Sequence, residues 1–160
     1  MADTTWRKLT IPLDGLSVDD LLKEWRWLVP ATMTPLWLSA FGDWAFVGQD
    51  KRVFHLDILE GSFGPIALFE SAMTELLESE EMRNRCLSAD WFEICNKRGL
   101  YLGPGQCYGW KVAPILGGEF NFSNIQVFDV LVYETIMGQL HRQLKELPEG
   151  YVISELRLRP

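Results

Sequence analysis

Residues 99–120, GLYLGPGQCYGWKVAPILGGEF, limit the architecture more than any other part of the chain, because no helix can run through them. Six of the thirteen glycines and two of the eight prolines fall here. In a helix interior each glycine costs about 1 kcal/mol and each proline about 3 relative to alanine. The stretch is therefore bent or extended backbone. Glycine supplies positive φ and close backbone approach, and Pro104 and Pro114 stop a strand from continuing. Gln106, Asn121 and Asn124 are able to tie irregular backbone by side-chain hydrogen bonds. Gly105, Gln106, Cys107, Tyr108 and Gly109, with Gly117 and Gly118, are expected to form a loop whose role is mainly conformational.

The segments on either side divide by period. Ser17 opens SVDDLLKEWRWLVP as a helix cap with Asp20 at the capping-box distance, and Leu21, Leu22, Trp25 and Leu28 recur at helical spacing until Pro30. Residues 44–47, 53–58 and 66–69 are short β-prone runs separated by GQDK and EGSFG, which predicts a three-stranded antiparallel meander. In the middle run Phe54, Leu56 and Ile58 form an apolar face, and Val53, His55 and Asp57 a mixed one. From Glu70 to Lys97 the spacing of Met73, Leu76, Leu77, Met82, Leu87, Phe92 and Cys95 becomes helical. A start signal at Ser88 and a stop at Gly99 predict two helices, or one broken near Leu87. Beyond the glycines, NIQVFDVLVYET reads as a strand, TIMGQLHRQLKEL as a helix ending at Pro148 and Gly150, and YVISELRLRP as a last strand. This order predicts one α+β domain over residues 1–160, an antiparallel sheet with helices packed against it, with residues 1–16 as an N-terminal extension.

A chain of 160 residues is long enough to bury about 70% of the surface its unfolded form exposes. Seven tryptophans, at positions 6, 25, 27, 37, 44, 91 and 110, supply large core groups or interface anchors. The formal charge of −7 repels phosphate backbones, so no nucleic-acid partner is expected; a basic protein partner and simple solubility both remain open. Cys86, Cys95 and Cys107 are odd in number and lack CxxC spacing, which argues against a disulfide framework and a zinc site and suits a reducing compartment. The opening MADTTWRKLTIPLDG lacks the apolar core of a secretory signal, and no run reaches the roughly 18 apolar residues of a membrane span. A cytoplasmic protein without membrane attachment is expected.

Known chemistries fit the glycine-rich stretch poorly. Gly103, Gly105 and Gly109 give GxGxxxG, one residue too long for a dinucleotide fingerprint, and no Gly-Lys-Ser/Thr ending marks a phosphate loop. Cys107, His141 and Asp129 are the residue types of a cysteine hydrolase, but no helix follows Cys107 to lower its pKa. His55, Asp57 and His141 have no ligand-type spacing for a metal. Two minor readings stay open: a small-molecule or regulatory pocket built on residues 99–118, and the Cys107/His141 hydrolase. No cofactor or metal is expected.

The combination Phe41-Gly42-Asp43, Leu56-Asp57, Gly105-Gln106-Cys107-Tyr108-Gly109, Pro114-Ile115-Leu116-Gly117-Gly118, Asn124, Gly138-Gln139 and Pro148-x-Gly150 runs in order from about Trp25 to Gly150. In this it resembles the C-terminal domain of bacterial type VI secretion immunity proteins. Larger relatives carry a further N-terminal domain, for which the segment before Trp25 is too short. The resemblance implies a protein that binds and neutralises a cognate toxin, a DNase in the better-known members, and that is not itself an enzyme. A basic toxin would suit the acidity of this chain. The residues most open to such a partner are Glu75, Glu78 and Glu81, expected to project together at i, i+3 spacing from one helix whose Met73, Leu76 and Leu77 face the core.

Overall fold

In the computed structural model, which describes residues 5–148, β-prone runs pair with their neighbours in chain order. Strands β2 (Thr34–Ser39), β3 (Trp44–Val47), β4 (Val53–Asp57) and β5 (Ser62–Ala67) form an antiparallel meander, and β1 (Thr10–Ile11) adds to the free side of β2. The expected runs at 44–47 and 53–58 are strands β3 and β4. The run expected at 66–69 is displaced: β5 ends at Ala67, while Leu68 and Phe69 stand exposed before the next helix. Gly64 and Pro65 disguised this strand, yet β5 is at the sheet edge, where a proline's missing N–H leaves no ladder bond unmade. Pro35 likewise hid β2, and β1 covers only Leu38 and Ser39, leaving the Pro35 end unpaired on that side.

Both faces of the meander are covered. Alternation along β3 sends Trp44 and Phe46 one way and Ala45 the other. On the first face Leu38, Trp44, Phe46 and Leu56 pack with Leu21, Leu22, Trp25 and Val29 and with Val130, Tyr133, Met137 and Leu140. On the second, Trp37, Ala45 and Val53 meet Trp6, Leu9, Met73, Leu77, Cys86 and Leu87. The helix predicted from Ser17 is only α1 (Val18–Leu21), capped by the Ser17 hydroxyl, followed by a tighter turn at Lys23–Trp25. That change of pitch brings Leu22, Trp25 and Val29 together into the core.

Between residues 70 and 97 there are three helices, α2 (Glu70–Leu76), α3 (Glu80–Leu87) and α4 (Ala89–Lys97). The expected break near Leu87 is present, with Ser88 in left-handed conformation (φ 50°). A further break precedes α3, where the Ser79 hydroxyl accepts from the Met82 N–H. Strand β6 (Gln106–Trp110) pairs with β7 (Ile125–Asp129), so residues 106–110 are strand where a loop was expected. The Tyr108 N–H donates to the Ala40 carbonyl (2.8 Å), joining this hairpin to the β2–β3 turn.

The strand predicted over 124–135 ends early. Asp129 accepts from the Val132 N–H and caps α5 (Val130–Leu144), which takes in the whole VLVYET run. Burial decides here: Val130, Tyr133, Glu134 and Met137 recur at helical spacing against the sheet, overriding their β propensity. The strand expected at YVISELRLRP, and Gly150, lie outside the described residues. The fold is α+β, an antiparallel sheet with helices packed against it.

Candidate partner-docking face

A rigid turn underlies the face. The Ser39 hydroxyl oxygen accepts from the backbone N–H groups of Phe41 (3.2 Å) and Asp43 (2.9 Å), and the Ile58 N–H donates to Asp43 Oδ1 (3.0 Å). Gly42 between them has φ +95°, and a Cβ there would lie 2.6 Å from Ile58 Cδ1 and 3.1 Å from Glu134 Oε1. Only glycine fits that conformation and that approach. Glu134, from α5, is fully buried and accepts one hydrogen bond from each of the Trp25 and Trp44 indoles, both 3.1 Å. Burial pushes its carboxyl well above the ordinary carboxylate range, with the two indole donors pulling against the shift.

Beside this turn lies a pocket of about 200 Å³ between the β4 end, α3, α4 and the β6–β7 hairpin. Its aromatic wall is Phe41, Trp91, Trp110 and Phe120. Trp91 and Phe120 both meet Trp110 edge to face, at 5.3 Å and 5.2 Å between ring centres. Its polar lining includes Asp43, Asp57, Asn84, Arg85 and Asp90. Asp43 is held well above its ordinary range by burial and then by the nearby Asp57 charge. His55 sits behind it, Nε2 4.0 Å from Asp43 Oδ2, and burial lowers its pKa.

The connection from β6 to β7 arches over the pocket rim. Asn124 holds it with one amide: Oδ1 accepts from the Val112 N–H (3.0 Å), and Nδ2 donates to the carbonyls of Val112 (2.9 Å) and Glu119 (3.0 Å). Gly117 is left-handed (φ 92°), and a Cβ on Gly118 would run into the Val112 carbonyl. The arch lifts Val112, Ile115 and Phe120 into solvent at 50%, 47% and 58% exposure, with Leu116 partly exposed beside them. A fixed backbone presenting grouped apolar side chains is the usual form of a protein-contact surface.

The predicted site residues are distributed differently. Glu75, Glu78 and Glu81 are exposed but do not share a helix. Glu75 is in α2, Glu78 in the connection where its carbonyl accepts from Arg83, and Glu81 in the first turn of α3. The break at Ser79 removes the i, i+3 geometry expected of them. Gly105, with φ +70°, precedes β6; Gln106, Cys107, Tyr108 and Gly109 are strand residues, and Gly117 and Gly118 shape the arch. Cys107 is fully buried, and burial followed by the Glu134 and Asp129 charges raises its thiol well above the ordinary value. His141 does not serve it as a base: it packs against the Trp25 ring at 5.8 Å, and its Nε2 makes no hydrogen bond among the described residues. Nor do His55 and His141 meet, since His55 packs on Trp37 across the sheet. A groove of about 530 Å³ runs beside Tyr101–Gln106, where a small-molecule pocket was considered. The Gln106 side-chain oxygen Oε1 there already accepts from the Gly103 N–H (2.7 Å).

Sequence reasoning missed Glu134, Trp91, Arg85 and Phe120. A lone acid within VLVYETIM was a visible signal for the first, and the others come from distant segments. Among the described residues no helix is long and apolar enough to cross a membrane.

Comparison with known proteins matches residues 70–141 to the family described as T6SS immunity protein Tdi1, C-terminal. The resemblance to type VI secretion immunity proteins is shown over that stretch, which contains the whole arch, Trp91, Trp110 and α2 to α4. A crystal structure of Atu4351 from Agrobacterium tumefaciens is similar in fold, with a TM-score of 0.51 and 25% sequence identity over 66% of this chain. The likeness covers 53% of that chain, about half its length. No curated protein matches this chain.

Proposed function

We propose that this protein is a cytoplasmic immunity protein that neutralises a cognate toxin by direct binding, without catalysis of its own. The family match over residues 70–141 carries this reading. It is supported by the arch, whose exposed Val112, Ile115 and Phe120 provide apolar contact on a backbone that needs no ordering when a partner binds. The proposed toxin is basic, of the DNase class. A net charge of −7 speeds encounter with such a protein and repels the nucleic acid it acts on. Glu75, Glu78 and Glu81 contribute to that attraction at long range, and the docking itself falls to the arch.

The test is protection together with complex formation. The protein encoded immediately upstream of this gene is expressed in a susceptible host with and without this protein, and the purified pair is examined by calorimetry. Protection and a stoichiometric complex are expected. Full toxicity beside a folded, expressed protein would overturn the reading. Glutamine at positions 75, 78 and 81 is expected to slow association and flatten its salt dependence while dissociation stays unchanged.

A further inference from the structure

We propose that the pocket between Phe41, Trp91, Trp110, Phe120, Asp43 and Asp57 receives one lysine or arginine side chain of the bound toxin, the anchor of the docking face. This rests on the reading of the protein as a toxin binder and adds the chemistry of the contact. At about 200 Å³ the pocket is smaller than the roughly 300–1,000 Å³ of drug-sized ligand sites and has room for a single long side chain. Its lining sets three carboxyl groups, Asp43, Asp57 and Asp90, against one cation, Arg85. The aromatic wall adds rings whose faces attract a cation.

The second observation is at the pocket floor. The Asp43 side chain is only 9% exposed and lines the cavity, yet Oδ2 accepts no hydrogen bond among the described residues. His55 Nε2, 4.0 Å from that oxygen, also makes no hydrogen bond among the described residues. That oxygen belongs to a residue lining the cavity, and an arriving ammonium or guanidinium makes a charge-assisted hydrogen bond to it. A cation also favours the ionised form of Asp43. Asp57 and Glu134 oppose ionisation, and Arg85 lies on the same wall. At a pH below the raised value, seating the basic group displaces the Asp43 proton, and affinity rises with pH until Asp43 is ionised in the free protein.

The experiment titrates the full chain with N-acetyl-lysinamide and N-acetyl-argininamide, with N-acetyl-norleucinamide as the uncharged control, following the indole N–H resonances of Trp91 and Trp110. A saturable shift with a basic probe and none with the control is expected. Asp43→Asn keeps the acceptor for Ile58 and should weaken the basic probe about tenfold; Phe120→Ala, at an exposed ring, should weaken it about threefold. No shift with either basic probe, or equal shifts with the control, overturns the proposal. The same variants are then measured against the toxin. If the wild type binds the toxin and both variants bind it equally well, the anchor is refuted while the immunity reading stands. If basic probes seat and no toxin binds, the immunity reading fails and with it the identity of the occupant.

Discussion

Glu134 and Asp43 are both buried carboxyl groups with raised pKa values, and they sit on either side of Gly42, but their surroundings differ. Each oxygen of Glu134 takes an indole N–H from one of two buried tryptophans, and the group is sealed between the sheet and α5. Asp43 has one oxygen on the Ile58 amide, lines a cavity, and accepts no hydrogen bond at the other oxygen among the described residues. A buried acid with both oxygens bonded to the core holds the fold together. One with an oxygen left open toward solvent-filled space is arranged for something that arrives later.

The largest expected effect falls on the closed side of that contrast. Glu134→Ala strands two indole N–H groups and opens a cavity, and should cost about 3–5 kcal/mol, read as a lower urea midpoint at unchanged slope. A loss below about 1 kcal/mol would mean the tryptophans find other acceptors. Gly118→Val should cost about 1–3 kcal/mol by forcing the arch from the Val112 carbonyl. Its toxin affinity should fall by more than its stability does; an unchanged affinity would remove the arch from the interface.

The pH dependence separates the two acids. Folded Asp43 and Glu134 keep their protons where the unfolded chain has lost them, so the folded state binds more protons. Their contribution to stability is therefore fully present below about pH 4 and declines as pH rises toward their raised values, by at most about 1.4 kcal/mol per pH unit for each group. Asp43→Asn should remove its share of this slope and leave the protein as stable or more so at neutral pH, because Asn keeps the bond to Ile58. Parallel stability curves for variant and wild type would contradict it. The smallest effect belongs to Cys107. Cys107→Ala should cost about 1 kcal/mol and leave toxin binding intact, and the native thiol should react with disulfide reagents only as fast as the fold opens. Rapid native-state labelling would restore the hydrolase reading.

Local signals made part of this structure legible. β3 and β4 are aromatic and β-branched runs ended by turn residues, and the break falls at Ser88 as its start signal suggests, although the Ser88 hydroxyl makes no capping hydrogen bond there. The onset of α5 was not legible: Val130 to Tyr133 favour a strand, and only their burial against the sheet decides for a helix. β2 and β5 were hidden by prolines that are harmless at unpaired positions. The single helical face expected for Glu75, Glu78 and Glu81 is absent because an additional serine cap at Ser79 divides the helix. The pocket had no local pattern at all, as Phe41, Asp57, Trp91 and Phe120 meet only through the packing of a turn, two helices and an arch.

The amide of Asn124 binds the arch through backbone groups alone, two on Val112 and one on Glu119. Its shape is thus indifferent to what the side chains at 112, 115 and 116 are. With the arch as the proposed docking face, those positions are a writable surface: new combinations there would alter which partner fits without the fold having to be solved again. On the proposed immunity reading, recognition can be revised one residue at a time while the scaffold beneath stays as it is.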